Sequence, residues 1–241
     1  RVNNDVYYPD NGPLGWFSAA GTPDHYLSCL PNGTLDGVPL NRFAFQYPQD
    51  GENYVGMLTY YLNDAHEYFM VQLIQPLVVG QEYYASLYAN AAWGGYPTSP
   101  IAWLYSNGVG MVFTTQPRQW ELGAPYPIPL NHAHVYSQAI ISDTVGWTLV
   151  SGSFVADSAY QYVMLGNPFG NASTDTLHIV YQQATPCSYT LIDNVCVSAD
   201  SSSCPMAVNV REHGREGATL FPNPAQQRVM LSGVEPGAWL N

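Results

Sequence analysis

Two neighbouring runs of alternating side chains constrain the fold of this chain more than any other feature. Residues 147–155 and 160–165 each alternate with a period of two and are rich in Val, Tyr, Thr and Phe. Turn residues bound both runs: Gly146 precedes the first, residues 156–159 separate them, and residues 166–168 (Gly-Asn-Pro) follow the second. Runs of this kind are typical of β-strands. We therefore expect two neighbouring antiparallel strands within a β-sandwich.

The rest of the chain also consists of short strand-like segments separated by turns. Such segments lie at residues 41–47, 53–58, 67–73, 83–90, 101–105, 109–114, 177–182 and 189–197. Asn107-Gly108, between two of them, is a strong hairpin signal. Residues 115–137 hold four prolines and are expected to form one long loop, a length usually associated with a function. The sequence predicts an all-β protein built as an antiparallel β-sandwich.

Composition and charge exclude several other classes of protein. With 21 Gly and 19 Pro in 241 residues, few stretches could sustain a helix. The chain carries 18 acidic residues against 6 Lys plus Arg, a net charge of −12, which argues against binding nucleic acid or an anionic membrane surface. No apolar run reaches the roughly 18 residues that a membrane-spanning helix needs, so we expect no membrane span.

The organisation along the chain suggests one main domain followed by a fragment of a second unit. We expect the sandwich to occupy residues 1–197. Composition becomes polar at residues 198–218, which are interpreted as a linker. A new strand pattern begins at Thr219, and residues 219–241 are too short to form a domain alone. The fold class therefore includes a short incomplete C-terminal β segment.

Four cysteines, Cys29, Cys187, Cys196 and Cys204, are expected to form disulfides in an oxidising compartment. Buried thiols are the alternative. Their spacing is unlike that of a zinc site. Cys196 with Cys204 would close a short loop, and Cys29 with Cys187 would then follow, but four cysteines allow three pairings, and all three stay open.

The sequence carries no catalytic signature such as GxSxG, HExxH or a nucleotide-binding loop. His132 and His134 could present two imidazoles on one face of a strand as metal ligands, or could form a water-exposed loop pair. Glu67 and Asp193 are candidates for glycoside hydrolysis, which uses two carboxylates, but nothing near them suggests an acid/base pair. We expect no catalytic residues and no enzyme.

Aromatic side chains in loops rich in Gly and Pro are the candidate ligand-binding residues. They are Trp93, Tyr96, Trp120 and Tyr126. Sugars present flat C–H faces that stack on such rings, while neighbouring polar side chains bind the hydroxyl groups. The alternative is that the rings fold back and cap the sandwich, because Trp and Tyr bury much apolar surface.

The tail and the body of the chain each resemble a known family. Residues 220–231, LFPNPAQQRVML, with Pro-Asn-Pro after an aliphatic-aromatic pair, resemble the start of the C-terminal sorting domain of the type IX secretion system of Bacteroidota. Residues 22–197 resemble a galactose-binding-like jelly-roll domain of large secreted Bacteroidota proteins. The matching features are Thr22–Tyr26 (TPDHY), Val38-Pro39, Gln46, Asp50-Gly51, Tyr54-Val55-Gly56, Glu67-Tyr68, Pro76-Leu77, Gly80, Gly146-Trp147, Ser151-Gly152, Gly166-Asn167 and Ile192–Val195 (IDNV).

These resemblances imply several further site residues. Asp193 matches the position where jelly-roll modules of this type often place a carboxylate on a structural calcium ion, and Asp24 and Glu67 are weaker candidates. The alternative for Asp193 is a carboxylate that bonds loop amides. Thr144, Ser158 and Thr176 each follow an Asp and precede an aliphatic residue, the pattern used for O-glycosylation in exported Bacteroidota proteins.

The resemblance to the jelly-roll family implies a non-catalytic binding module that is secreted or held on the cell surface. Its expected partners are a glycan or another surface polymer, and the type IX secretion machinery during export. One alternative is a structural subunit of an extracellular filament or surface layer, which self-associates through Tyr-rich faces and strand addition. A fragment of a glycoside hydrolase is the third hypothesis.

Overall fold

The structure is a computed structural model that describes residues 15–95, 104–179 and 187–207, together with the backbone of residues 219–222 and 229–232. Its strands are, in chain order, β1 (Trp16–Ala20), β2 (Asp24–Tyr26), β3 (Tyr54–Tyr60), β4 (Tyr68–Gln72), β5 (Glu82–Ala91), β6 (Leu104–Ser106), β7 (Gly110–Thr114), β8 (Val135–Tyr136), β9 (Thr148–Val155), β10 (Tyr162–Gly166), β11 (Thr176–His178), β12 (Ser188–Ser198), β13 (Thr219–Pro222) and β14 (Val229–Ser232).

Two five-stranded antiparallel sheets form the body of the molecule. The first sheet has the order β1-β4-β10-β7-β8 and the second has the order β2-β3-β12-β5-β9, while β6 and β11 form a separate pair. The chain divides into two compact units, residues 1–207 and 208–241, and β13 pairs with β14 in the second unit. No α-helix occurs in the described residues. The predicted antiparallel β-sandwich is confirmed.

Alternation along the strands divides inner from outer side chains. In β10, Val163 and Leu165 join the central core, whereas Met164 between them joins a separate cluster on the outer face of the first sheet. In β12, Ile192 faces the core and Leu191 packs on the outer face of the second sheet. Successive side chains of a strand point to opposite faces, so each sheet carries apolar groups on both sides. The outer faces must therefore be covered, at least in part, by loops.

The two central runs are strands, but the prediction that they are neighbours is wrong. β9 pairs with β5 in the second sheet, whereas β10 pairs with β4 and β7 in the first. The connection between β9 and β10 bonds to the segment between β4 and β5. The carbonyls of Ala156 and Tyr160 accept hydrogen bonds from the N–H groups of Gly80 and Leu77, respectively. The chain therefore crosses from one sheet to the other instead of turning back on itself.

The prediction of a hairpin at Asn107-Gly108 is also wrong, because β6 and β7 do not pair with each other. β6 pairs with β11, and β7 pairs with β10 and β8. The Asn107 side chain accepts from the N–H of Asp175 at 2.8 Å and donates to its carboxylate at 3.2 Å. The N–H of Gly108 donates to the carbonyl of Ser137. Asn-Gly thus anchors distant segments here. Residues 101–103, which the prediction also included, lie outside the described residues.

No strand forms at residues 41–47, although one is predicted there. The Asn41 side chain accepts from the N–H groups of Phe43 and Ala44, both at 2.9 Å, and this local turn replaces an extended ladder. Isolated bridges remain at Leu40, Ala44 and Phe45. The short strands β1, β2 and β8 were not predicted. The expected strand at residues 177–182 is β11 as far as His178, and residues 180–182 lie outside the described part.

Of the two expected disulfides, Cys196–Cys204 is formed. Cys29 and Cys187 do not form a disulfide with each other: Cys29 is exposed and Cys187 is buried. Cys29 follows β2, whose Tyr26 pairs with Tyr54 at one end of β3, whereas Cys187 precedes the residue that pairs with Tyr60 at the other end. The length of β3 separates these ends by about 20 Å, and a disulfide needs Cα atoms within about 7 Å.

Two further points bear on partners and boundaries. In the parts of the chain that the structure covers, no helix is long and apolar enough to cross a membrane. The described end of the predicted linker, residues 198–207, is tied to the first unit by the Cys196–Cys204 disulfide and by a hydrogen bond from the Ala207 N–H to the Ser151 hydroxyl. The domain boundaries at 197 and 218 stay predictions.

A candidate ligand-binding groove

Loops cover much of the outer face of the second sheet. Val38, Phe43 and Ala44 pack on this face, and the Phe43 ring stacks on Tyr189 with centroids 3.6 Å apart. Around Asn90 the same face is sealed by Gln46 and Gly146, whose oxygens accept from the Asn90 amide. The part of this face around Tyr189 and Asn90 is therefore covered, whereas Tyr84 and Tyr88 of β5 stay partly exposed.

The outer face of the first sheet carries the long loop between β7 and β8. Trp120 and Tyr126 of this loop pack on an outer cluster that includes Tyr68, Met70 and Met164. An open groove of about 1020 Å³ lies where the loop meets β1, and it is lined by Phe17, Ser18, Ala19, Arg118, Gln119, Trp120, Glu121, Ala124, Pro125, Pro127 and Ile128. The loop that the sequence marked as functional therefore forms one wall of the groove.

Trp120 is a half-buried ring held in a fixed orientation. Its indole Nε1–H donates to the carbonyl of Ala124 at 3.2 Å. The Tyr126 ring lies beside it, with centroids 5.5 Å apart and planes inclined by 35°. Tyr126 is not part of the groove lining, and burial is the main cause that raises the pKa of its phenol. Trp120 thus presents a supported apolar surface to the groove, and Tyr126 positions it.

Polar side chains lie on both sides of Trp120 in the sequence and line the same groove. Arg118 and Gln119 precede it and Glu121 follows it. The Arg118 backbone N–H donates to the Sδ of Met70 at 3.2 Å, which ties the start of the loop to β4. A guanidinium, an amide and a carboxylate can together donate to and accept from hydroxyl groups. An aromatic face with such neighbours matches the chemistry of a sugar ring.

The other two predicted aromatic residues lie apart from this groove. Trp93 follows β5, is 37% exposed, and accepts a hydrogen bond through its carbonyl from the N–H of Phe45. It therefore belongs with the segment that covers the second sheet, on the opposite side of the sandwich from Trp120. Tyr96 lies outside the described residues. Ligand contacts by Trp93 and Tyr96 stay predictions.

The surroundings of Asp193 consist of hydrogen-bond donors. One carboxylate oxygen accepts from the N–H groups of Gln49 and Asp50, at 2.8 and 3.2 Å, and the other accepts from the N–H of Asn194 at 2.7 Å. Calcium instead needs six to eight oxygen ligands. In the described ranges, no three His, Cys, Asp or Glu side chains are grouped to hold a metal ion. The geometry favours the alternative of a carboxylate bonded to loop amides, and structural calcium stays a prediction.

The candidate carboxylate Glu67 is buried and serves the backbone. Its oxygens accept from the N–H of Leu58 at 2.9 Å and from the N–H and hydroxyl of Thr22 at 3.0 and 3.1 Å. Burial raises the pKa of this carboxyl, while these hydrogen bonds lower it. Glu67 therefore holds the β1–β2 turn to β3. It does not line the groove.

The histidine pair lies at the end of the long loop. The His132 and His134 rings have centroids 4.8 Å apart. The Nδ1 of His134 accepts from the N–H of Phe113 at 3.1 Å, so one of its two ring nitrogens is engaged by the backbone. Burial lowers the pKa of His134 to about 4, so its imidazole is neutral at pH 7.

The three predicted O-glycosylation residues are partly exposed. Thr144 and Ser158 lie in bends beside the ends of β9, and Thr176 begins β11. Partial exposure at strand ends is compatible with modification. Glycosylation at Thr144, Ser158 and Thr176 stays a prediction.

Sequence reasoning missed Phe17 and Arg118 as groove residues. Phe17 was missed because β1 was not predicted, so the face to which it points could not be assigned. Arg118 stands two residues before Trp120 in the proline-rich loop, and this spacing was the available signal. It is one of six arginines in a chain without lysine, which makes a cation beside the groove notable.

No protein-family model matches the sequence, and no characterised protein matches it by sequence. A cyclase from Fischerella sp. TAU in complex with 4-(1H-indol-3-yl)butan-2-one is 12% identical over 78% of this chain and 86% of its own, with a TM-score of 0.47. The CBM22-1–GH10 modules of xylanase 10B from Clostridium thermocellum, complexed with xylohexaose, are 10% identical over 85% of this chain and 28% of their own, with a TM-score of 0.40. A CBM4 structure is 14% identical over 82% of this chain and 99% of its own, with a TM-score of 0.37.

Proposed function

We propose that this protein is a non-catalytic module that binds a glycan chain in the groove beside Trp120. The observation that carries this proposal is the supported indole of Trp120 in an open groove of about 1020 Å³. Ligand sites typically combine apolar and aromatic walls with a few polar groups that fix orientation. Arg118, Gln119 and Glu121 would bind hydroxyl groups at the edges of a ring stacked on the indole.

The absence of catalysis is part of the proposal. Glu121 is the only carboxylate among the described residues that line the groove. Glycoside hydrolysis requires two carboxylates flanking the scissile bond in most families. Glu67 and Asp193 are both engaged by backbone amides. A groove of this composition is suited to holding a polysaccharide without cleaving it.

Affinity electrophoresis in gels that contain a soluble polysaccharide tests the binding. Xylan, mixed-linkage β-glucan, galactomannan and hydroxyethylcellulose form a first panel. The wild-type chain should be retarded by at least one of them, and Trp120→Ala should be retarded much less than wild type. Trp93→Ala is the matched control, because it removes an exposed Trp that lies outside the groove. Equal retardation of wild type and Trp120→Ala would reject the groove as the site.

An extracellular location belongs to the same proposal. The Cys196–Cys204 disulfide supports it, because structural disulfides persist in oxidising compartments. The resemblance of residues 220–231 to a type IX sorting domain supplies a route of export, and Thr144, Ser158 and Thr176 would carry glycans on that route. The intact mass of the exported chain, compared with that of a Thr144→Ala variant, would reveal the modification.

A second candidate function is a structural subunit that self-associates. An exposed aromatic patch favours it: Phe45 and Tyr47 are 48% and 64% exposed, and their rings meet edge to face at 5.9 Å. Trp93 lies beside Phe45. Tyr and Trp are enriched in protein interfaces. Sedimentation at increasing concentration tests this function, which predicts assemblies that a Phe45→Ser/Tyr47→Ser variant no longer forms.

A further inference from the structure

A second cavity, outside the groove, opens at one edge of the sandwich. It has a volume of about 560 Å³ and lies between the edge strands β1 and β2 of the two sheets. Trp16 forms its wall on the first sheet, and His25 forms its wall on the second. Val55, Leu165 and Ile192 lie beneath it as part of the central core, and of these three only Val55, at 8% exposed, keeps appreciable surface. We call this cavity the edge cleft.

The rim of the edge cleft is polar and carries an amide donor. Asn53, Asp193 and Asn194 form this rim. The Oδ1 of Asn53 accepts from the N–H of Ser28 at 3.0 Å, which fixes the side chain. No described acceptor lies within hydrogen-bond distance of its Nδ2. The exposed Asn53 side chain is therefore anchored by its oxygen and keeps two N–H donors for another molecule.

The rest of the rim is held rigid by its own contacts. Asn194 has a φ of 48°, in the left-handed region, where the register of β12 shifts between Asp193 and Cys196. Its side-chain Nδ2 donates to the Oε1 of Gln49 at 2.8 Å. Three backbone N–H groups bond the Asp193 carboxylate. A rim fixed in this way needs little ordering when a ligand binds.

The chemistry of the edge cleft selects one class of ligand. The indole of Trp16 suits the C–H face of a ring, while the amides on one side suit hydroxyl groups. The Asp193 carboxylate in the rim disfavours an anionic ligand. The volume of about 560 Å³ falls within the range for small-molecule sites. These features together describe a short neutral saccharide of one or two rings.

We propose that the edge cleft is a second saccharide-binding site, separate from the groove at Trp120. Trp16 and Phe17 are consecutive residues of β1 that point to opposite faces, so the two sites share a strand but no lining residue. The groove accommodates the length of a chain, and the edge cleft accommodates a chain end. The second site goes beyond the proposed function, since either site can bind without the other.

The test uses a substitution that keeps the fold and removes the donor. Asn53→Asp retains the Oδ1 that accepts from Ser28 but deletes both N–H donors. Asn32→Asp is the matched control, because Asn32 is also an exposed loop residue whose Oδ1 accepts from a backbone N–H, that of Leu40. Both variants add one negative charge. Each is made in the wild-type chain and in a Trp120→Ala chain.

Titration calorimetry with xylohexaose, cellohexaose and mannohexaose provides the readout. The proposal expects Trp120→Ala to retain one binding site per chain, and expects Asn53→Asp in that background to weaken it about tenfold. Asn32→Asp should leave the affinity unchanged. If Trp120→Ala binds no sugar, or if Asn53→Asp leaves its binding unchanged, the proposal of a saccharide site in the edge cleft is contradicted. If saccharides bind in the edge cleft but not in the groove, Trp120→Ala will have the same affinity as wild type, while Asn53→Asp will lose binding. If wild type binds none of these sugars, both sites are rejected.

Discussion

The hydroxyl of Tyr189 donates a hydrogen bond of 2.5 Å to the Oδ2 of Asp24, beneath the segment that covers the second sheet. The hydroxyls of Tyr189 and Tyr26 are themselves 2.8 Å apart. Burial, together with the neighbouring charges of Glu67 and Asp36, raises the pKa of Asp24 to about 7, against the opposing effects of the Tyr189 hydrogen bond and of Arg42. This face of the sandwich therefore holds a carboxyl that stays largely protonated below pH 7.

Stability should depend on pH through Asp24. Its pKa is about 7 in the folded state against 3.8 in the unfolded state, so the folded chain binds more protons between these values. The stabilisation is complete below pH 3.8 and is lost as the pH rises through 7. We expect the free energy of unfolding of wild type, relative to Asp24→Asn, to fall by about 4 kcal/mol across that range. Urea titrations at pH 4, 6 and 8 measure it, and a pH-independent difference between the two proteins would contradict the assignment.

The Cys196–Cys204 disulfide should stabilise the first unit. It closes a loop with a sequence separation of 8, for which loop-closure entropy gives about 2–3 kcal/mol. We expect a Cys196→Ser/Cys204→Ser variant to lose this free energy of unfolding in denaturant titrations. Cys29→Ser, which alters an exposed cysteine, is the control and should change stability little. A double variant as stable as wild type would show that the loop is already constrained.

Gly56 should tolerate no side chain. A Cβ at this position would lie 2.5 Å from the Cε1 of Tyr189 and 2.8 Å from the Cε2 of Tyr26. Gly56→Ala must displace these buried rings, at a cost of about 1–3 kcal/mol. Gly152→Ala, in β9, is the strand control, since its nearest contact is a Val135 methyl at 3.3 Å. Thermal unfolding compares the two, and an equal shift in Tm would refute the steric explanation.

Local patterns predicted the strands but could not predict their partners. The alternation in residues 83–90 and 189–197 led to β5 and β12, since period two is a property of a few consecutive residues. Pairing depends instead on contacts between distant residues, such as the bonds from Asn107 to Asp175. For this reason β9 and β10 were placed side by side, although they lie in different sheets.

The candidate site was predictable to a similar extent. Trp120 could be identified because aromatic residues in a long proline-rich loop are candidates for ligand contact, although the sequence could not show which of them would pack on the sheet instead. Phe17 and Asn53 could not be identified from the sequence. Phe17 lines the groove and Asn53 lies on the rim of the edge cleft, and both places depend on where the first sheet ends relative to the second. The predicted Cys29–Cys187 disulfide is wrong for the same reason, because the two cysteines lie near opposite ends of β3.

Calorimetric titration of Trp120 variants tests the glycan-binding proposal most directly. The titrant is the polysaccharide that retards the wild-type chain most in affinity gels. The account predicts that Trp120→Ala weakens binding about 10- to 30-fold, as expected for a buried aromatic contact, that Trp120→Phe lies between it and wild type, and that Trp93→Ala binds as wild type does. Equal dissociation constants for wild type and Trp120→Ala would contradict it.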